Sequence, residues 1–532
     1  PYAKTRRLHY EGEELGATYK KSRSNMWNYV DWDGDGDKDI VVGIDTWDDY
    51  GWDNAFDSLG RWTRGPLHGY VYLLENTGRG YVNRGKVEAG GAPIDVYGAP
   101  NPCIADFDFD GDLDLICGEF VDGLTLFENV GTRTAPRFAA GRPLANKHGE
   151  IRLHLEMIVP VVSDFDDDGH PDLIVGDEDG RVAWVRHTGK VKKGMPQFES
   201  PLYFTQQADL VKFGALSTPC AFDWDGDGKQ DIIAGNSAGE IALIRNLSGG
   251  GNPMWDAPRL FTVNGKPIRI QAGENGSIQG PAERKWGYTV LSVADWDGDG
   301  LPDIIVNSIW GKIEWFRNLG SKDGLKLAPA QPVRVAWEGA TPKPAWNWWT
   351  PAPGTLVTQW RTTPVATDWN GDGLTDLLVL DHEGYLAYYE RFRTPEGELL
   401  LRPGRRIFHG TNCSLYDRKE GVLNAAEGLL RLNGVEAGWS GRRKICFTDW
   451  DGDGRLDLIV DSQNAAWFRN VREENGEVWY EYMGNLSDRV LAGHSTCPTP
   501  IDWNGDGRPE LLLGAEDGHF YLIPNNTDKQ IR

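Results

Sequence analysis

Short apolar runs, each bounded by glycine or a carboxylate, recur along the whole chain. TPCAF (218–222) and GYTVLSVA (287–294) each precede a nine-residue polar loop. A second run follows the loop, such as IVVG (40–43), LIVG (173–176) or IIAG (232–235). Apolar runs this short, closed off by turn residues, read as buried strands. A third run often ends in asparagine: GYVYLLEN (69–76), GLTLFEN (123–129), GEIALIRN (239–246), GKIEWFRN (311–318). A weaker fourth follows in several units, as in PQFESPLYF (196–204). Four strands per unit, at about 66 residues per unit, describe the blade of an all-β propeller. Eight loops predict an eight-bladed β-propeller, with seven blades as the alternative if one repeat is degenerate.

The loops share one pattern, Asp-x-Asp/Asn-x-Asp-Gly-x-x-Asp/Glu. Its acidic positions are Asp31, Asp33, Asp35 and Asp39; Asp106, Asp108, Asp110 and Asp114; Asp164, Asp166, Asp168 and Asp172; and Asp223, Asp225, Asp227 and Asp231. They continue as Asp295, Asp297, Asp299 and Asp303; Asp368, Asn370, Asp372 and Asp376; Asp449, Asp451, Asp453 and Asp457; and Asp502, Asn504, Asp506 and Glu510. Calcium takes six to eight oxygens in flexible geometry, which a tight loop supplies from alternate side chains and a backbone carbonyl. Glycine at position 6 permits the sharp turn. The last acid falls at position 9 and the loop joins strands, so this is not an EF-hand. Eight such loops in register predict several structural Ca2+ ions, about one per blade.

The formal charge of −24 changes meaning on this reading. Thirty of the loop positions are carboxylates, and eight divalent cations would bring the total near −8, an ordinary surface charge. The acidity is therefore mostly metal ligand, and nucleic acid, which calls for a basic patch, is excluded as a partner. Apolar residues make up 40% of the chain, enough for a large core, and no stretch approaches the ~20 apolar residues that cross a bilayer. The chain opens at Pro1 without a charged-then-apolar leader, which is compatible with a removed secretion signal. Cys103 and Cys117 flank one loop symmetrically, so a disulfide between cross-strand neighbours is open. Cys220 and Cys446 share the register of Cys103 and read as buried thiols.

The loops resemble the FG-GAP/VCBS repeats of integrin-α-type propellers and of bacterial carbohydrate-active propellers, over nearly the whole chain. In that family the loop joins the innermost strand of a blade to the next strand out, on one rim. The resemblance implies a single propeller domain over 1–532, with the alternating N-terminal segment closing the last blade. Rhamnogalacturonan lyases share the eight-bladed architecture, but no extended motif of theirs is found outside the loops. Insertions 44–68, 264–288, 340–362 and 409–444 follow a second strand or precede a first one, so all four fall on the face opposite the calcium loops. Loops gathered on one face of a rigid scaffold are where binding residues concentrate.

Five to eight residues upstream of each loop lie Tyr288, Arg361, His494, Glu156 and the run Arg442-Arg443-Lys444, with Lys285 just outside and His154 beside Glu156. An acidic chain thus gathers cations and aromatics at one mouth, which suggests an anionic ligand. Tryptophans in the insertions, Trp286 and Trp360 among them, suit sugar rings. The leading expectation is a secreted, monomeric lyase cleaving an acidic, uronate-containing, rhamnose-linked plant or algal polysaccharide by β-elimination. Such a step needs a cation on the uronate carboxylate and a base for the C5 proton. Arg361, Arg443 and Lys444 are the candidate clamps, His494 or Tyr288 the base, with His154 as alternate; Lys285, Trp286, Trp360 and Glu156 complete the substrate set. A glycoside hydrolase would need a carboxylate pair, for which Glu156, Glu119, Asp177 and Asp381 are candidates. A non-catalytic, integrin-α-like propeller binding glycan or protein is the reading from a different class. An extracellular, periplasmic or cell-surface location fits all three.

Overall fold

The computed structural model describes residues 7–23, 25–50, 55–204, 210–249, 253–321, 324–436, 441–493 and 495–526. Among these residues there is no α-helix, only a 3-10 turn at Gly280–Glu283, and none long and apolar enough to cross a membrane. The chain is an all-β propeller protein. Eight sheets each carry one acidic loop between their first two strands. In blade four, Thr218–Phe222 runs antiparallel to Asp231–Gly235, then Ile241–Ile244 and Arg259–Leu260 follow outward. The loop spans the turn at Phe222↔Asp231.

The chain divides into two compact units, one of Pro1–Ala55 with Trp62–Gln207, the other of Phe56–Arg61 with Ala208–Arg532. The first unit holds blades one to three, whose first strands are Asn25–Val30, Asn101–Ala105 and Val159–Ser163. One core joins blades one and two through Trp32, Val41, Leu115 and Cys117; another joins two and three through Cys103, Ile116, Leu173 and Val175. The expected end of the N-terminal segment differs. Its Tyr10–Glu11 strand lies parallel to Tyr81–Lys86 on the outer edge of blade one, because Tyr10, Leu15 and Tyr19 pack against Ile44, Tyr72 and Leu74.

The two cysteines of blade two also differ from expectation. Cys103 stands opposite Ile116, and Cys117 opposite Pro102. Side chains alternate between sheet faces, so the one-residue offset sends Cys103 into the core with blade three and Cys117 into the core with blade one. Both are free, buried thiols.

The second unit holds blades four to eight. Their second strands are apolar throughout because both faces are covered, and alternate residues serve different neighbours. Ile233 packs with Ile304 and Val306 of blade five, whereas Ile232 and Ala234 pack with Ile501 and Leu512 of blade eight. Ile305 meets Leu377 and Val379 of blade six; Leu378 and Leu380 meet Leu458 and Val460 of blade seven; Ile459 meets Leu511 and Leu513 of blade eight. Five cores in the order four–five–six–seven–eight–four close a ring. Polar contacts span the closing pair as well: Asp502 N donates to Gln230 Oε1 (2.7 Å) and Ala221 N to Thr499 Oγ1 (3.2 Å). Eight blades in a single ring are therefore not confirmed; five of the eight close among themselves. Truncating one of these fully buried leucines costs about 2–5 kcal/mol.

Three insertions enter first strands of this unit: 264–288 precedes Val290–Ala294, 340–362 precedes Val365–Thr367, and 409–444 precedes Ile445–Thr448. Each attaches at the strand end opposite the acidic loop. The last is more than a loop. Phe408–Gly410 pairs in parallel with Glu477–Asn485, Gly428–Leu429 pairs with Phe408–Gly410, and Leu415–Asp417 forms a hairpin with Gly421–Asn424.

Candidate functional site

The chain enters six of the eight first strands through one residue, seven before the first loop aspartate, that holds a left-handed backbone. These residues are Ala99, Met157, Leu216, Tyr288, Arg361 and Arg442, with φ between 32° and 63°. Glycine adopts this conformation freely and bulky residues do so at a cost of order 1–3 kcal/mol. Three consecutive blades of the second unit place Tyr, Arg and Arg there, so the side chains themselves are wanted.

Those side chains converge on the axis of the five-bladed ring. Leu216, Thr218, Tyr288, Arg361, Lys444 and Thr496, one or more from every blade of this unit, line a cavity of about 10 Å³. The Arg361 guanidinium lies 3.2 Å above the centre of the Tyr288 ring and 4.9 Å from that of Trp360. Lys444 Nζ donates to Arg361 O at 2.6 Å. Tyr288 hydroxyl reaches Glu283 Oε1 at 3.4 Å, and Ser277 Oγ donates to the other oxygen of the same carboxylate. Arg443 turns away from the axis, donating through Nη1 to Asp461 Oδ1 (3.1 Å) and through Nε to Leu432 O (2.8 Å).

Burial dominates the electrostatics here. It lowers the Arg361 guanidinium to about 10 and the Lys444 ammonium to about 7, and the charge of Arg361 lowers Lys444 further. Burial raises the Glu283 carboxyl, against the pull of Arg361. Arg418, in the 409–444 hairpin, is lowered to about 10 by the same effect. Arg361, Arg418, Arg442, Arg443 and Lys444 act on one another, opposed by Glu283, Asp461 and Asp417. Four arginines against three carboxylates leave the group cationic whether or not Lys444 is protonated.

At the other end of the first strands sit the acidic loops. The position-1 aspartate accepts the backbone N–H groups of the glycine turn: Gly226, Asp227 and Gly228 donate to Asp223 at 2.9–3.1 Å, and blades five to seven repeat the pattern. The position-9 carboxylate has a second task. Asp231 accepts Trp224 N through one oxygen and Asn246 N through the other (3.1 and 2.8 Å), tying the loop to the third strand. Asp39, Asp114, Asp172, Asp303, Asp376 and Asp457 do likewise. Burial raises the pKa values of Asp39 and Asp376, that of Asp114 to about 7 and those of Asp231, Asp303 and Asp457 to about 6.

Residues 164–234, 295–379 and 449–513 match the family model of the FG-GAP-like repeat. The chain carries FG-GAP-like repeats. No curated protein matches the sequence. Among solved structures, a lectin of Agrocybe aegerita that recognises non-reducing terminal N-acetylglucosamine is 16% identical, covering 92% of this chain and 95% of its own, with a TM-score of 0.27. The biofilm matrix protein Bap1 of V. cholerae is 12% identical over 95% of this chain and 88% of its own, at 0.20. The six-bladed fucose-recognising lectin of Aleuria aurantia is 11% identical over 71% and 96%, at 0.19. No ligand or activity follows from likeness this low.

The acidic loops have the donor set of a hard cation. Carboxylate oxygens of Asp31, Asp33 and Asp39 lie within 4.8 Å of one another, as do those of Asp106, Asp108 and Asp114, and those of Asp223, Asp225 and Asp231. Asp164, Asp166 and Asp168, and Asp295, Asp297 and Asp299, cluster equally. In the second loop, Asp106 Oδ1 and Asp112 Oδ1 are buried without a hydrogen bond, which fits an oxygen reserved for a cation. Arginines reach some loops from the third strand: Arg317 pairs with Asp297 and Asp299 at 2.8 and 2.9 Å, and Arg186 with Asp166 and Asp168 at 2.6 and 3.0 Å.

Of the residues singled out in the sequence, the second unit brings Tyr288, Arg361 and Lys444 together. It buries Trp286 and Trp360, at 8% and 2% exposed, so neither offers a face to a sugar ring: Trp286 packs edge-on to Tyr288, and Trp360 sits under Arg361 and Arg442. Lys285 is half-buried, its carbonyl accepting from Gln271 Nε2. Asp381 is held by Arg406 at 2.6 Å. His494 lies outside the described residues. His154 and Glu156 belong to the first unit, where His154 is exposed and stacked on Tyr203 (4.2 Å) and Glu156 is fully buried. Sequence reasoning missed Glu283 and Arg418, because both sit inside insertions at no fixed distance from a loop.

Proposed function

We propose that the second unit binds an acidic carbohydrate at the strand-start end of its five-bladed ring. The surplus of arginine and lysine over carboxylate around Arg361, Arg418 and Arg442 carries this reading. Arg418 and Arg442 are only half-buried and offer planar donors suited to carboxylates. Trp348 and Trp349, half-buried in the 340–362 insertion, add apolar surface; Trp348 stacks on Phe56 at 4.2 Å and 9°. The larger hollow of about 800 Å³ at the loop end is lined by Asp449, Asp451, Asp502 and Asp506, carboxylates committed to the loops, and offers an anion no comparable set of cations. The loops hold structural Ca2+ through the carboxylates of positions 1, 3, 5 and 9, which would supply charge neutralisation and stiffen each blade. Loops that rely on calcium suit the high calcium of an extracellular or periplasmic setting, in which the protein acts as a monomer.

The finer reading is a lyase acting on a uronate-containing, rhamnose-linked polysaccharide by β-elimination. On that reading the half-buried Arg418 and Arg442 neutralise the uronate carboxylate, since Arg361 and Tyr288, 4% and 5% exposed, lie beneath the reach of a sugar.

Calorimetric titration with polygalacturonate and other uronate polysaccharides, against a neutral glucan, tests the binding. Tight, salt-sensitive binding of the acidic set is expected, weakened about 5–10-fold by Arg418→Ala or Arg442→Ala. Equal affinity for the neutral glucan, or none for either class, rejects the proposal. Ultraviolet absorbance from an unsaturated uronate product tests the lyase separately.

A further inference from the structure

Below the rim, the axis of the second unit holds a site of a different kind. Arg361 is 4% exposed, and its Nε and Nη1 carry no hydrogen bond. A buried guanidinium N–H without an acceptor forgoes a contact worth about 1–3 kcal/mol. Glu283, whose charge acts on Arg361, gives its oxygens to Ser277 and Tyr288 instead. Lys444, 5% exposed, donates to Arg361 O, and its ammonium carries three donors in all. Both side chains line the same cavity, with Ser495, Thr496 and Thr218 from neighbouring blades. Its volume of about 10 Å³ admits one species of the size of water, too small for a carboxylate, phosphate or sugar.

We propose that this cavity binds one monatomic anion, chloride being the commonest of that size, held by Arg361 Nε and Nη1 and the Lys444 ammonium. The anion answers three facts at once: two adjacent buried cations, donors without acceptors, and a space closed by residues from all five blades. The site acts as a keystone, since loss of the ion leaves two like charges facing each other across the ring axis. This site does not depend on the carbohydrate reading, because a glycan cannot enter the cavity.

The full chain, saturated with calcium, is unfolded thermally in gluconate, chloride and bromide at constant ionic strength. The midpoint is expected to rise saturably with chloride or bromide by roughly 2–4 °C. Arg361→Gln and Lys444→Met are each expected to abolish the rise. Crystals of the unaltered protein in bromide are expected to show an anomalous peak within hydrogen-bond reach of Arg361 and Lys444, which keeps the test independent of how the variants fold. Identical midpoints in gluconate and chloride, a halide response retained in Arg361→Gln, or density for water only at that position would each overturn the proposal.

Discussion

The guanidinium carbon of Arg361 lies over the ring of Tyr288, 3.2 Å from its centre, and both residues hold left-handed backbones at the same register of adjacent blades. The pair is buried, and a desolvated cation–π contact is worth about 2 kcal/mol. Tyr288→Phe keeps the stack and loses the hydroxyl contact with Glu283, a cost of about 1 kcal/mol. Tyr288→Ala removes the ring and leaves a cavity, costing about 3–5 kcal/mol. Urea unfolding in calcium compares them, and equal losses in the two variants would show that the ring contributes nothing.

Calcium removal is expected to lower the unfolding midpoint by several degrees, because a ligand bound only to the folded state raises it. Added calcium restores it. A midpoint unchanged by EDTA would mean that the clustered carboxylates hold no ion that matters to stability.

Two aspartates of one loop should separate structural from metal-dependent stability. Asp231→Asn replaces an acceptor facing the backbone N–H groups of Trp224 and Asn246, and is expected to cost about 2–4 kcal/mol with or without EDTA. Asp225→Asn is exposed and should cost stability only when calcium is present. The comparison fails if both variants lose the same amount in EDTA.

Lys444 gives the ring a defined pH response. Its ammonium is held down to about 7 when folded and returns to roughly 10.4 when unfolded. Between these values the unfolded chain binds the additional proton, so stability rises as pH rises from 7 toward 10, and the full burial cost remains below 7. Measured in gluconate, the unfolding midpoint should climb across that window, and Lys444→Met should flatten the slope while raising stability by about 1–2 kcal/mol at pH 7. Parallel slopes in the two proteins would refute the assignment.

Reducing agent should leave the unfolding midpoint unchanged, since Cys103 and Cys117 point into different cores. Burial pushes both thiols well up, and thiol reagents should modify them only after unfolding. Modification of either in the folded protein would contradict the assigned faces.

Much of the blade was legible because its signals are local. The acidic loop, the apolar runs either side and the terminal asparagine each specify structure within about 15 residues, and the asparagine recurs because its side-chain amide donates to the carbonyl just before position 9 while its amide oxygen accepts the N–H two residues on. The register of the loops also located Tyr288, Arg361 and Lys444. It was silent on burial, so Trp286 and Trp360 looked like sugar platforms when they are packing residues. It was silent too on which blade neighbours which. Nothing near Gln230 announces Asp502, because their contact depends on how blades stack and not on either segment alone. Glu283 and Arg418 escaped because insertions have no repeat to align them.

The meeting of blade four with blade eight also has a kinetic side. Ile232 and Ala234 emerge from synthesis some 270 residues before Ile501 and Leu512, the partners that cover them. Until then that face is an apolar sheet surface open to other chains, and closure by so distant a segment is slow and exposed to aggregation. Folding yield should therefore hinge on the last blade: weakening Leu512 would first be felt as captured, chaperone-bound nascent chains, before any change in the finished ring.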